Sequence, residues 1–315
     1  MNTPHLITTI LLSLILGTNA WNYKDAKKWG NKYKKCKGRH QSPILLNPAG
    51  SPPFSNFKKT IRLTDFNKLP DKLTIKNTGR TVEMKAEWTG EAPKCYGGPL
   101  DGKYVFEKVT FHWAQKKWIA FEASPNAEQD RMTYDMEMKM FFYKEHLKSF
   151  EKAESKKGGL VVFSMGLTVF REGYGIAEPL FDNLEKKINK VRSPNSTAEI
   201  TPFRFASIFD KPSRMLPFYY YEGSLDYPPC SESVSWFIMD SNTGIADSLI
   251  RKVRTIKLAE EDKSNVRPPQ PLNKREVHFV CNYEGHEDWE KQFDSKPSQA
   301  NADASFKNLP ADGRD

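Results

Sequence analysis

The sequence predicts a mixed, predominantly β fold, and three observations favour it. Short segments rich in β-branched and aromatic residues are separated by turn-forming residues, at 104–113, 160–163, 234–239 and 277–281. Helical periodicity is clear in only two places along the chain. A hydrophobic content of 38% over 315 residues is enough to fill the core of one large domain.

The N-terminal region carries an apolar run at residues 6–16, followed by small residues before Trp21. This pattern predicts a secretory signal peptide at 1–20, so we expect the mature protein to be secreted and extracellular. The run is about half of the roughly 20 apolar residues that a membrane span needs. Because 28% of the residues are charged, we expect no membrane span elsewhere either.

A strongly basic segment follows the predicted signal. The chain has 48 Lys and Arg against 39 Asp and Glu, a formal net charge of +9, and much of the excess lies in this segment. For an exported protein, such a patch favours an extracellular polyanion, such as a sulfated glycan, or a matrix component over nucleic acid. A solvated basic face without a partner is the alternative. The predicted patch comprises Lys27, Lys28, Lys32, Lys34, Lys35, Lys37 and Arg39.

Two helices are predicted from apolar stripes at helical spacing, and both stripes are expected to pack on the core. The first helix ends near Val191, and its stripe comprises Ile176, Leu180, Leu184 and Ile188. The stripe of the second helix comprises Ile245, Leu249 and Val253.

No linker rich in Gly, Ser or Pro interrupts residues 21–283, so we predict one domain there. The polar residues 284–315 are expected to form a mobile tail. Asn195 begins an Asn-Ser-Thr sequon in a polar stretch, which predicts a glycosylation site in an exported protein. Export also permits disulfides between the four cysteines, Cys36, Cys95, Cys230 and Cys281.

A collinear series of short motifs resembles the α-class carbonic anhydrase family. Each motif alone is weak, but together they cover nearly all of residues 21–281 in the order of that family. They include Trp21-Asn22-Tyr23, Gln41-Ser42-Pro43-Ile44, Gly97-Gly98-Pro99-Leu100, Phe111-His112-Trp113, Tyr134-x-x-Glu137, Gly223-Ser224-Leu225, Val234-x-Trp236 and Asn265-x-Arg267-Pro268. The resemblance implies a large twisted, mostly antiparallel sheet of about ten strands flanked by short helices.

The resemblance also implies a site where three histidines hold zinc, whose bound water, with a pKa near 7, attacks carbon dioxide. This sequence departs from that pattern at the ligands. The three former ligand positions are Thr110, His112 and Lys139. Lysine would have to lose a proton from a group of pKa about 10.4, at a cost of roughly 4 to 5 kcal/mol. We therefore expect no zinc, and none of the other histidines (His40, His146, His278 and His286) has the two-residue spacing to His112 that would replace a ligand.

The positions around the former metal site are altered as well. By the resemblance, Asp226 and Tyr227 stand where the family carries the threonine that orients the zinc-bound hydroxide, and Arg80 replaces its proton-shuttling histidine. The buried glutamate that partners this threonine aligns with Asn126, with Glu128 near enough for a local shift. By the same resemblance, Glu137 is the glutamate that the family carries beside its zinc ligands. Phe141 fills a position in the wall of the carbon dioxide pocket, and it is bulkier than the residue usually found there.

Two side-chain pairings follow from the resemblance. Lys139 is expected to project into the vacated centre and form an ion pair with Asp226, because an unpaired buried ammonium is costly. The alternative is that Lys139 extends into solvent. Cys36 and Cys230 match the disulfide of secreted family members. Cys95 and Cys281 are left to form a second bridge, to pair between chains or to remain free thiols; the sequence makes no prediction of oligomeric state.

Two functions are consistent with these residues. The first is a secreted carbonic anhydrase-like protein that lacks zinc, any other cofactor and carbon dioxide hydration activity, and acts as a binding or extracellular structural protein. The second is a zinc carbonic anhydrase that uses non-standard ligands. The replaced ligands favour the first.

Overall fold

A large mixed β-sheet organises the computed structural model, which describes residues 21–46, 61–119, 133–169, 179–209 and 218–280. The described strands are β1 (Ile61–Thr64), β2 (Lys72–Asn77), β3 (Val82–Glu87), β4 (Lys94–Gly97), β5 (Tyr104–Ile119), β6 (Thr133–Lys144), β7 (Leu160–Val169), β8 (Thr197–Ile200), β9 (Phe218–Gly223), β10 (Val234–Ile245) and β11 (His278–Val280). The order across the sheet is β11-β9-β10-β7-β6-β5-β3-β2-β8, with β4 pairing β5 and β1 pairing β4. Of these pairings, only β7 with β10 is parallel.

Each strand predicted from the sequence is present, and the predominantly β fold is confirmed. Three strands are longer than predicted, because the apolar pattern stops before the backbone pairing does. In β5 the pattern ends at Trp113, yet pairing with β6 resumes at Trp118 after a register shift. The last strand is shorter than predicted and covers only His278–Val280 in the described range.

The central strand β6 is buried on both faces of the sheet. Successive side chains of a strand point to opposite faces. Met136, Met138 and Met140 therefore enter the larger apolar core on one face. The alternate positions, which include Glu137 and Lys139, face the other side, where Phe141 packs in a smaller cluster with Val162, Leu225 and Trp236. Two charged residues are thus placed at the floor of the second face.

Four short α-helices flank the sheet in the described ranges: α1 (Trp29–Lys32), α2 (Phe150–Ala153), α3 (Pro179–Lys187) and α4 (Asp247–Val253). The first predicted stripe is confirmed from Leu180 onward, since α3 continues as a 3₁₀ helix at Ile188–Val191 with its stripe buried. The second is confirmed for Leu249 and Val253. The prediction for Ile245 is wrong, because this residue ends strand β10 and does not lie on the helix.

The N-terminal segment is built from three helical turns, Ala26–Lys28, α1 and Lys34–Lys37. Tyr23, Trp29 and the Cys36–Cys230 disulfide form a small buried cluster that fixes it to the domain. Among the described residues, no helix is both long and apolar enough to cross a membrane.

Several predictions fall outside the described residues and stay predictions. They concern the signal at 1–20, the tail at 284–315, Asn126, Glu128, Ile176, Cys281 and His286.

Candidate functional site

The positions that the resemblance aligns with zinc ligands lie in two adjacent rows across strands β5, β6 and β7. Thr110 is directly opposite Lys139, which is in turn opposite Ser164. His112 is opposite Glu137 in the next row. Because residues two apart on a strand share a face, all five side chains point to the same side of the sheet.

Lys139 lies at the centre of this group and is paired with two carboxylates. Its Nζ is 2.5 Å from Oδ2 of Asp226 and 3.2 Å from Oε2 of Glu137. The ammonium also lies 5.6 Å from the ring centroid of Trp236. Lys139 is only 3% exposed, so it does not extend into solvent. The expected pairing of Lys139 with Asp226 is confirmed, and Glu137 is a second partner.

The two carboxylates differ in their remaining contacts. Oε1 of Glu137 accepts a hydrogen bond from the hydroxyl of Ser164 at 2.7 Å. Oδ1 of Asp226 is buried and has no hydrogen-bond partner within the described part of the chain. An unpartnered buried acceptor is uncommon and costs free energy. The ion pair with Lys139 is therefore the main compensation for burying Asp226.

The pKa values of the three ionic side chains are set by two opposing effects, burial and ion pairing. Burial alone would raise the pKa of Asp226, but the Lys139 ammonium holds it below its usual value. Burial alone would lower the pKa of Lys139, and the two carboxylates keep it raised. For Glu137, burial outweighs the attraction of Lys139 and raises the pKa to about 7. The centre therefore holds one ammonium and one firmly ionised carboxylate, with a second carboxylate that titrates near neutrality.

His112 is held as a neutral imidazole. Burial, with a smaller contribution from the Lys139 ammonium, lowers its pKa to about 3. Its Nδ1 lies 2.9 Å from the carbonyl oxygen of Asn265, which can only accept, so Nδ1 carries the proton. Nε2 then accepts from the hydroxyl of Thr110 at 2.9 Å. The one lone pair of the ring is thus engaged by the residue at the first former ligand position.

Asp226 is positioned by the loop that follows β9. In this loop Ser224 Oγ accepts from the backbone of Ser42, and the Leu225 amide donates to the Ser231 carbonyl. The Cys36–Cys230 disulfide closes the same loop against the N-terminal segment, with the two Cα atoms 4.9 Å apart. This disulfide agrees with the pairing that the resemblance implied. Cys95 is a buried free thiol on β4.

An aromatic and cationic stack lies beside the centre. The guanidinium of Arg80 is 4.6 Å from the ring centroid of Trp21, and Trp21 is stacked on Tyr227 at 6.4 Å between centroids. Arg80 occupies the turn between β2 and β3, where Gly79 takes a φ of +80°. Tyr23 is close enough to Asp226 that the carboxylate helps burial raise the pKa of the phenol. Because the three ionic residues are each at most 3% exposed as whole residues, the centre is closed.

Sequence reasoning missed two parts of this arrangement. The hydrogen bond from the hydroxyl of Ser164 to Glu137 was not predicted. The position of Ser164 opposite Lys139 follows only when the register of β7 against β6 is known. The stack of Trp21, Arg80 and Tyr227 joins three distant segments, and no local signal predicts it.

The remaining predicted residues lie away from this centre. Asn195 is exposed at a turn with a positive φ of 67°. His40 and His146 are exposed, and His278 lies half-buried on β11. All seven residues of the basic patch are exposed on the N-terminal turns. In the part of the chain that the structure describes, no three His, Cys, Asp or Glu side chains are grouped so as to hold a metal ion.

Most of the chain is similar to known proteins. The family model for eukaryotic-type carbonic anhydrase matches residues 24–281. Carbonic anhydrase 7 of Mus musculus is 26% identical over 83% of this chain and 97% of its own length. Carbonic anhydrase 6 of Canis lupus familiaris is 26% identical over 86% of both chains. Receptor-type tyrosine-protein phosphatase zeta of Homo sapiens is 28% identical over 90% of this chain but only 12% of its own length. The family match spans most of the chain, and the described sheet and the centre of Lys139, Glu137 and Asp226 lie within it. The protein therefore belongs to the eukaryotic-type carbonic anhydrase family.

Proposed function

We propose that the protein is a secreted, zinc-free member of its family that does not hydrate carbon dioxide and acts as a binding or extracellular structural protein. The observation that carries this proposal is the position of Lys139. Its ammonium lies between Asp226 and Glu137, 2.5 and 3.2 Å from their oxygens, and Lys139 stands at a position that the resemblance assigns to a zinc ligand.

The donor set does not fit zinc. A zinc site needs several nitrogen, sulfur or oxygen atoms with available lone pairs in near-tetrahedral geometry. Lys139 has a raised pKa and stays protonated, so it has no lone pair to give. The lone pair of His112 is engaged by Thr110, whose neutral hydroxyl is itself a poor zinc donor. A divalent cation would also be repelled by the ammonium at the centre.

The surroundings support the same conclusion. The ionised Asp226 has no proton to donate, so it cannot replace the hydroxyl of a threonine in a hydrogen-bond relay. An arginine side chain is a poor proton shuttle, and the guanidinium of Arg80 lies over the ring of Trp21. No contact in the described residues favours the alternative of an active enzyme with non-standard ligands.

A binding role is supported by the relatives as well. The human receptor-type tyrosine-protein phosphatase zeta has a matching region that covers 12% of its length, in a protein named for another activity. The same kind of domain thus occurs within a receptor-type protein. For this chain, the basic patch and the closed centre favour function through the surface.

The test is a joint measurement of zinc content and carbon dioxide hydration. The protein is expressed with its own residues 1–20 in a secreting eukaryotic cell, dialysed against zinc and then against zinc-free buffer, and analysed by mass spectrometry of metals. The proposal predicts no stoichiometric zinc and no hydration above buffer in stopped-flow assays. One zinc per chain with turnover would overturn it.

A matched control shows that the assay can detect zinc in this scaffold. The variant Thr110→His/Lys139→His/Asp226→Thr removes the ion pair and adds two imidazoles to that of His112, so we expect it to take up zinc. Secretion is tested in the same preparation, since the medium should contain a chain that starts at Trp21. A glycan should be removed by an N-glycosidase and be absent from Asn195→Gln. Retention of the chain in the cell would contradict the secreted part of the proposal.

A further inference from the structure

We propose that the exposed basic patch on the N-terminal turns is a binding surface for a linear sulfated glycan. This inference rests on the proposed function only in that a secreted protein meets such glycans. We call the patch the basic surface, and it consists of Lys27, Lys28, Lys32, Lys34, Lys35, Lys37 and Arg39.

The charge of the whole chain is concentrated there. Residues 21–40 contain eight Lys and Arg and one Asp, so their net charge is 8 − 1 = +7, against +9 for the 315 residues. The rest of the chain is nearly balanced. Such a local excess creates a positive potential that attracts a polyanion over a distance set by the salt concentration.

The cations of the basic surface differ in whether a described carboxylate pairs with them. Asp25 pairs with Lys28 at 3.1 Å. Lys24 is not part of the basic surface, and its Nζ donates to the carbonyl of Glu260 at 2.7 Å. Within the described ranges, Lys27, Lys34 and Lys37 have no carboxylate within ion-pair distance. At these three lysines, a contact with sulfate would therefore not have to compete with an ion pair to a described residue.

The surface is presented by a rigid frame. Trp29 is 3% exposed, and its indole donates to the carbonyl of Asn22 at 2.7 Å. The disulfide ties the last turn to Cys230. Lys34 and Lys37 are three residues apart in a 3₁₀ helix, so their side chains lie on one side. Binding to a frame that is already ordered costs less conformational entropy.

The chemistry of the surface distinguishes among polyanions. Single-stranded nucleic acid is held by stacking on exposed rings, but Trp29 is buried and the Tyr33 ring is half-buried beside Lys32. A bilayer is bound by apolar side chains that insert, yet the exposed large apolar residues of the described part lie outside this segment, at Leu45, Leu69 and Leu272. A surface of charge without rings or apolar anchors fits a sulfated polysaccharide.

The test is the affinity of the full secreted chain for heparin as a function of salt. The variant Lys27→Gln/Lys34→Gln/Lys37→Gln removes three cations of the basic surface that form no ion pair with described residues. The control Lys76→Gln/Lys103→Gln/Lys190→Gln removes three exposed lysines elsewhere and changes the net charge equally. Each lost sulfate contact reduces both affinity and salt dependence, so the surface variant should bind at least about tenfold more weakly with a shallower salt slope. The control should differ little from the wild type.

Three results would overturn the inference. One is equal weakening of both variants, which would mean that only net charge matters. Another is equal binding to heparin and to desulfated heparin. The third is tighter binding to anionic phospholipid vesicles or to single-stranded DNA than to heparin at the same salt. None depends on zinc content, so a failure here is distinguishable from a failure of the proposed function, which the metal and hydration measurements decide.

Discussion

Nζ of Lys139 on strand β6 lies 2.5 Å from Oδ2 of Asp226, 87 residues further along the chain. Both side chains are at most 4% exposed. Burying two charges is expensive, and their attraction offsets the cost only where the geometry is close. Here the ammonium has a second carboxylate in Glu137 at 3.2 Å. The pair therefore ties the sheet to the loop after β9, and each charge depends on the other.

Removing the ammonium alone should be strongly destabilising. Lys139→Met leaves Asp226 buried without its compensating charge, and we expect the free energy of unfolding to fall by about 3 to 5 kcal/mol. Adding Asp226→Asn removes the orphaned charge and should recover about 2 kcal/mol. Urea unfolding of the wild type, both single variants and the double variant gives the coupling free energy between Lys139 and Asp226. Additive effects would contradict a direct pairing. Lys85→Met, which breaks an exposed pair with Glu107, is the control and should cost no more than about 1 kcal/mol.

Stability should fall as the pH rises towards neutrality, because of Glu137. Its pKa is raised from 4.5 to about 7 by burial, so between these values the folded state holds a proton that the unfolded state has lost. Raising the pH from 5 to 7.5 should therefore lower the free energy of unfolding of the wild type by about 1 to 3 kcal/mol. The variant Glu137→Gln should not show this decrease. The measurement is the free energy of unfolding across this pH range for both proteins. Parallel profiles would show that Glu137 does not titrate there.

Asp226 should act in the opposite direction at the acid end. Its pKa is held below the ordinary 3.8 because the attraction of Lys139 exceeds the effect of burial. Its contribution to stability is complete above that ordinary value and is lost as the pH falls through the folded-state pKa. Below about pH 4 the wild type should lose more stability than Asp226→Asn, with the loss measured by urea unfolding. An equal loss would contradict the lowered pKa.

The fold was predictable because its signals are local, whereas the contacts of the site are not. Segments rich in β-branched and aromatic residues predicted the strands, and the helical stripe from Leu180 to Ile188 was found from spacing alone. The positions of Thr110, His112 and Lys139 followed from motifs next to them in the chain. Ser164 and Trp21 could not be assigned partners, since these contacts depend on strand register and on the docking of distant segments.

The tautomer of His112 also lay beyond sequence reasoning. It depends on a carbonyl oxygen 153 residues away, in Asn265. The end of β5 was missed for a related reason, because polar residues after Trp113 hid a strand that the backbone pairing with β6 maintains. In both cases main-chain groups decide the outcome, and side-chain patterns carry little information about them.

The disulfide should contribute substantially to stability. Cys36 and Cys230 are separated by 194 residues, and cross-linking so long a loop restricts the unfolded chain by about 5 kcal/mol in the chain-entropy account. We expect the free energy of unfolding of Cys36→Ser/Cys230→Ser to be about 2 to 5 kcal/mol lower than that of the wild type. Cys95→Ser is the matched control, because Cys95 is a buried free thiol outside any bridge. A similar loss in both variants would show packing, rather than the cross-link, to be responsible.

Restoring three imidazoles should not by itself restore activity, because the stack beside the centre closes it. Tyr227 lies against Trp21, and Arg80 lies over the same ring. The variant Thr110→His/Lys139→His/Asp226→Thr should therefore take up zinc but hydrate carbon dioxide slowly, since arginine cannot release a proton near neutrality. Adding Arg80→His and Tyr227→Thr opens the stack and supplies a titratable group, and should raise the hydration rate at least about tenfold, within the range of general acid-base catalysis. Stopped-flow rates at equal zinc content make the comparison. Equal rates in the two variants would show that the stack does not limit access to the centre.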